Sequence, residues 1–243
     1  MSQLLLSVLA LPLAACSVSV GGGEDGTPGV AAQGSGGTRT YPVADFTRVE
    51  LRGADSVDIR VGPGFSVRAD GDPEVLDRLK ITKEGDAIRI GRVRSEGWSW
   101  GGKNARISIT MPALAGMSAA GSGDITADRV QGDRFKGATA GSGSLEVGEL
   151  AVREAAFDLA GSGDVKASGR ADALRVSIAG SGDVDAGGLT AQSATVSVAG
   201  SGSVRAQVKG AAKVNVMGSG DVELGGGAKC EINKMGSGSV RCG

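Results

Sequence analysis

The stretch LAGSGDVKA, residues 159–167, decides how the whole chain reads. Taken alone it is a Gly-rich turn entering a strand. Its core, GSG followed by Asp or Ser, occurs seven times, with first glycines at Gly121, Gly141, Gly161, Gly180, Gly200, Gly218 and Gly236. Successive spacings are 20, 20, 19, 20, 18 and 18 residues. A period of about 19 residues is short for a helical repeat and fits one coil of a β-solenoid.

Columns of the aligned coils agree. Four residues after the first glycine stand Ile125, Leu145, Val165, Val184, Val204, Val222 and Val240, and two further on stand Ala127, Val147, Ala167, Ala186, Ala206, Leu224 and Cys242. Between them lie Thr126, Glu146, Lys166, Asp185, Arg205, Glu223 and Arg241. In-out-in alternation of this kind marks a strand with one buried face. Val176-Ser177-Ile178 and Val196-Ser197-Val198 repeat it ahead of the corner, so each coil is expected to carry at least two short strands flanking GSG. The outward column alternates in sign from Glu146 to Arg241, and coils stacked in register would set opposite charges against each other. One coil orders too much backbone for the few side chains it buries, so stability must belong to the stack.

Glycines let the corner take positive φ in a space too tight for side chains. The residue after GSG reads Asp124, Ser144, Asp164, Asp183, Ser203, Asp221 and Ser239, whose short oxygens are suited to capping nearby backbone N–H groups. Calcium is the alternative use of such carboxylates. Only Asp164 and Asp183 occupy adjacent coils, so any cation is expected there. The GGxGxD nonapeptide of calcium-binding β-rolls is missing.

Composition narrows the chemistry. Gly supplies 43 of 243 residues and aromatics only 3%, which points to tight turns around small side chains rather than a ring-built core. A net charge of -1, without a basic aromatic platform, gives nucleic acid no handle. The chain contains no His, which removes His-based triads, metal sites and general bases.

Residues 4–13 form a short apolar run ending in Leu13-Ala14-Ala15-Cys16, the length of a signal-peptide core rather than of a membrane span. It resembles a bacterial lipoprotein signal, although Met1-Ser2-Gln3 lacks the usual Lys or Arg. That resemblance implies a signal peptide over residues 1–15, lipidation of Cys16 and attachment to a membrane by lipid. Ser17, rather than Asp, implies sorting to the outer membrane, with either the periplasmic or the surface face open. Residues 16–40 are too poor in apolar side chains to fold and read as a flexible tether. Residues 41–243 then form one domain.

Within that domain, residues 41–110 lack GSG but keep strand alternation at Val57-Asp58-Ile59-Arg60-Val61 and Ile107-Ser108-Ile109-Thr110. A short helix is expected over residues 72–79, with Asp72 as N-cap and Pro73 in the first helical position. "FTRVELRGADSVDIRVGPGFSVRADGD", then "ARISITMPAL", then repeated "GSGD" together resemble the auto-transporter adhesin head GIN domain family of the bacterial envelope. The resemblance spans roughly residues 45–243. It implies an all-β fold, a right-handed parallel β-helix, with an adhesive or surface-binding role and no established catalytic residues or cofactor.

Three further features bear on function. Lys234 falls where earlier coils carry Leu159, Ile178, Val198 and Val216, a charge that would block further stacking. Cys230 and Cys242 both fall at inward positions of the last coil, where an oxidising compartment would permit a disulfide and a reducing one two free thiols. Trp98 and Trp100, the only tryptophans, alternate within the polar loop SEGWSWGGKN. Alternation can present both rings on one face to a glycan or protein ligand, or let them cover an open end of the solenoid. The expected function is therefore non-catalytic surface binding by a monomer. A β-helix polysaccharide lyase or glycosidase, and a purely structural spacer, are the alternatives.

Overall fold

The computed structural model describes residues 28–93 and 103–243. Its repeat region is a stack of parallel coils, and all the described strands join into one 17-stranded sheet. The strands Ile125–Gly141, Leu145–Gly161, Val165–Gly180 and Val184–Gly200 each run through almost a whole coil, broken only at the GSG corner. The sequence suggested shorter strands. Pairing above and below carries the backbone hydrogen bonds around the coil's bends, so the ladder stays continuous where local pattern alone would end it.

Corners line up in a row. Gly141 pairs with Gly121 and Gly161, Gly180 pairs with Gly161 and Gly200, and Gly218 pairs with Gly200. Inside, Ile125, Leu145, Val165, Val184, Val204 and Val222 are at most 1% exposed. Burying such columns is the main favourable term, at about 25 cal/mol per Å² of apolar surface. The two large rings of this region, Phe135 and Phe157, meet edge to face with centroids 6.1 Å apart. Gly137, paired with Phe157, leaves the room: a Cβ there would lie 2.9 Å from the Phe157 ring.

The first third departs from sequential order. Strands Arg48–Gly53 and Ser56–Val61 form the second rung of the stack, between Gly116–Gly121 with 125–127 on one side and Ala87–Arg92 with Arg106–Met111 on the other. The chain thus lays its second rung first, loops out, and returns to lay the outermost rung. Antiparallel strands close that rung's outer edges: Leu79–Glu84 on Ala87–Arg92, Ser66–Asp70 on Arg106–Met111, and Thr38–Thr40 beyond Ser66–Asp70. The helix is one turn, Pro73–Leu76, rather than the longer one expected. Asp72 caps it through Glu74 N–H at 3.0 Å, but Leu79 is already committed to a strand.

The opposite end is built differently. Lys229–Met235 and Val240–Cys242 form the last rung, with Lys234 in register with Val216. Lys234 Nζ donates to the Gly238 carbonyl at 2.7 Å, so the charge folds back onto the open end. Cys230 and Cys242 are joined by a disulfide, their Cα atoms 6.3 Å apart, which ties the two last strands together.

Candidate functional site

The row of Asp and Ser residues after GSG performs capping, but not within its own turn as the sequence suggested. Each Asp reaches one coil on. Asp124 Oδ1 accepts from Ser144 N–H at 2.8 Å, Asp164 Oδ1 from Asp183 N–H at 3.0 Å, and Asp183 Oδ1 from Ser203 N–H at 2.7 Å. Asp221 Oδ1 accepts from both the backbone N–H and the hydroxyl of Ser239, at 2.8 Å each. The hydroxyl contact, foremost, holds the Asp221 carboxyl below the usual carboxylate range. Asp164 and Asp183, the pair expected to hold any cation, are thus linked to each other through a backbone bond. Among the described residues no three of His, Cys, Asp and Glu gather into a metal-binding group.

The outward charges form rungs of opposite sign. Lys166 Nζ lies 3.9 Å from Glu146 and Arg205 Nε 3.3 Å from Glu223, with Arg134 and Glu154 3.3 Å apart around the coil. All are largely exposed, so each pair contributes little beyond register. On the face preceding the corner, Ala120, Ala140 and Ala160 floor a shallow trough of about 480 Å³ edged by Glu50, Arg52 and Asp158.

Cys16, Trp98 and Trp100 lie outside the described residues. The two ends of the segment carrying the tryptophans are described, and they meet at a feature the sequence reading passed over. Superposing Gly53-Ala54-Asp55 on the corner Gly121-Ser122-Gly123 sets Asp55 where every later corner has its second glycine. Those glycines are obligatory: a Cβ on Gly143, Gly163 or Gly182 would lie 2.1 or 2.2 Å from the carbonyl of the glycine one coil before. Beneath Asp55 the described residues hold no such corner: the outermost rung's strands are Ala87–Arg92 and Arg106–Met111. A carboxylate where the column demands glycine was the available signal.

Asp55 is completely buried. Its Oδ1 accepts from Ala105 N–H at 2.8 Å and from Arg92 Nη2, while Oδ2 accepts from Arg92 Nε at 3.0 Å. Arg92 Nη2 also donates to the Lys103 carbonyl at 3.2 Å. Lys103 Nζ sits 2.7 Å from Asp72 Oδ2, and this contact, ahead of the Glu74 N–H, lowers the Asp72 pKa while raising that of Lys103. On the outgoing side Val93 N–H donates to the Arg78 carbonyl at 2.9 Å. The departing and returning strands are therefore pinned to one buried carboxylate.

Comparison with known proteins comes to the same fold. Residues 45–228 match the family described as "Putative auto-transporter adhesin, head GIN domain". No curated protein matches the chain. Among solved structures, a "putative adhesin" from Bacteroides fragilis superposes with a TM-score of 0.78 at 20% identity, covering 84% of this chain and 95% of its own. A "putative lipid binding protein" from Parabacteroides distasonis gives 0.67 at 22% identity, covering 87% and 98%. A "putative adhesin" from Parabacteroides merdae gives 0.63 at 18% identity, covering 85% and 95%. At these identities the likeness is one of fold.

Proposed function

Because this chain belongs to the auto-transporter adhesin head GIN domain family, we propose that it is a non-catalytic binding protein of the cell envelope, held to the outer membrane through lipid on Cys16. It engages a glycan or a surface protein through Trp98 and Trp100. The observation that carries this reading is the interruption of the repeat at Asp55. Elsewhere the corner closes with glycine and the flanks present paired charges or small side chains. At Asp55 a carboxylate stands in place of the corner glycine and holds Arg92 and Ala105, and the sequence between those two residues contains both tryptophans of the chain. The carboxylates of the corner row are engaged with backbone N–H groups of the next coil, a use that supports structure rather than turnover.

Retention on a glycan array and in pull-downs from envelope extracts tests the reading, comparing the wild type with the Trp98→Ala, Trp100→Ala double variant. Retention by the wild type and its loss in the variant is expected. Equal retention by both moves the binding surface elsewhere, and retention by neither leaves a structural spacer. Release of reducing ends from envelope polysaccharide would bring back the enzyme. Palmitate labelling of the wild type but not of Cys16→Ser checks the anchor.

A further inference from the structure

We propose that the last four rungs carry a groove that binds a neutral glycan chain of the extended, cellulose type, lying along the solenoid axis. The proposal goes beyond the preceding reading and stands whether or not the tryptophans bind. A cleft of about 420 Å³ runs between two outward columns, the one directly after the GSG corner and the charged one two residues further on. Strand pairing sets both columns in register across the rungs of Val184, Val204, Val222 and Val240. The chemistry alternates from rung to rung. Asp183 and Asp185 offer only acceptor oxygens on their rung, and Asp221 and Glu223 do the same two rungs on. Ser203 with Arg205, and Ser239 with Arg241, bring hydroxyl and guanidinium donors to the rungs that alternate with these. Asp183 and Asp221 spend Oδ1 on the next coil, and among the described residues Oδ2 of neither accepts a bond. Capping therefore leaves half of each carboxylate available.

Such a surface selects a ligand whose own groups both donate and accept. Because carboxylates and guanidiniums interleave, a uniformly charged chain meets repulsion at every second rung. Sugar hydroxyls meet none, and a hydroxyl given to a carboxylate or held under a guanidinium makes a charge-assisted hydrogen bond. The spacing agrees with this chemistry. Rungs rise by about 4.8 Å, close to the length of one pyranose unit in an extended chain. A cellulose-type chain turns over at each unit, so its repeat is the disaccharide, and the repeat of the groove is likewise two rungs. Four rungs make three steps, about 14 Å in all, which is room for a tetrasaccharide.

Amide chemical-shift mapping of the full-length protein, titrated with cellotetraose, mannotetraose and the chitin tetramer, tests the groove directly. At least one tetramer is expected to shift the amides of residues 183–185, 203–205, 221–223 and 239–241. Its affinity should rise from dimer to tetramer and level off at the hexamer. Arg205→Gln should weaken binding about tenfold, the worth of a hydrogen bond to a charged group. Lys166→Gln removes a cation from the same column outside the groove and should leave binding unchanged. Both side chains are largely exposed, so neither variant threatens the fold. The proposal is overturned if none of the three tetramers shifts these amides, if the shifts fall on other residues, or if the two variants bind alike. A stronger response of the same amides to tetralysine or to tetragalacturonate would also overturn it, by showing a site for charged chains.

Discussion

Replacing Gly182 by Ala tests the stacked-corner architecture with one methyl group. Gly182 lies between Gly163 and Gly202 in the row of second corner glycines, and a Cβ there would sit 2.1 Å from the Gly163 carbonyl oxygen. Real Cβ contacts essentially never fall under 3.0 Å, so the rung must separate by at least about 0.9 Å. That movement strains three bonds that span the gap: Ser181 N–H and Gly182 N–H to the Gly161 carbonyl, at 2.8 and 3.2 Å, and Asp183 N–H to Asp164 Oδ1 at 3.0 Å. With each worth about 0.5–1.5 kcal/mol net, their loss predicts a destabilisation of about 2–4 kcal/mol. This is a large part of the ~5–15 kcal/mol that holds a domain folded. The neighbouring Ser181 is exposed, so Ser181→Ala should change stability by no more than about 0.5 kcal/mol. Urea unfolding followed by circular dichroism measures both, with an unchanged slope guarding against an altered denatured state. A Gly182→Ala protein as stable as Ser181→Ala would mean that the corners are not stacked at contact distance.

Thr139 Oγ1 is buried without a hydrogen-bond partner among the described residues, so Thr139→Val should stabilise by about 1 kcal/mol, seen as a higher urea midpoint; a loss would reveal a hidden partner. The Asp70 carboxyl is held at about 2, from an ordinary 3.8, by hydrogen bonds from Arg68 first and then from the Thr38 hydroxyl. Its folded pKa is depressed, so its contribution is present above pH 3.8 and is lost as pH falls toward about 2; unfolding curves across that window should be flatter for Asp70→Asn. Reducing the Cys230–Cys242 bond, which closes a short loop, should cost about 2–3 kcal/mol and show first as faster amide exchange over residues 229–242. Calcium or a chelator should leave the melting temperature in place, and a calcium-dependent rise abolished by Asp164→Asn would restore the cation reading at Asp164 and Asp183.

The repeat was legible because every coil states the same local rule. Inward Val165 and outward Lys166 follow from strand alternation, and the shared spacing of Gly161 and Gly180 fixes how coils register. What alternation cannot state is which strand lies beside which. Val57 faces inward whether its neighbour is Ile107 or Ile125, and it has both, so the insertion of 48–61 between later strands leaves no mark on the local pattern. The same gap hid the partners of Asp124 and Asp183. An Asp at a turn is suited to a nearby N–H, and only stacking reveals that the closest free one belongs to the next coil. The base of the tryptophan segment was half legible: Gly53-Ala54-Asp55 stands in the corner frame, but Arg92 lies 37 residues away.

The two ends of the stack meet the open-edge problem by opposite means, and this gives the molecule a direction. At the first rung the parallel edges are covered by the antiparallel strands Leu79–Glu84 and Ser66–Asp70, which parallel coils of a second molecule cannot extend in register. At the last rung the edge stays open, guarded by the Lys234 ammonium and a disulfide, and Ile232 and Met235 are exposed there at 45% and 73%, with Met217 on the rung before it at 64%. In a stack whose stability is the sum of contacts between neighbouring coils, the last rung has one neighbour and a thinned core, so it opens before any other. A covalent link is most effective where non-covalent contacts are fewest, which is where Cys230 and Cys242 stand. The first rung is covered on both sides, and so it can go without a glycine corner, the Asp55 carboxylate of the second rung holding Arg92 and Ala105 instead.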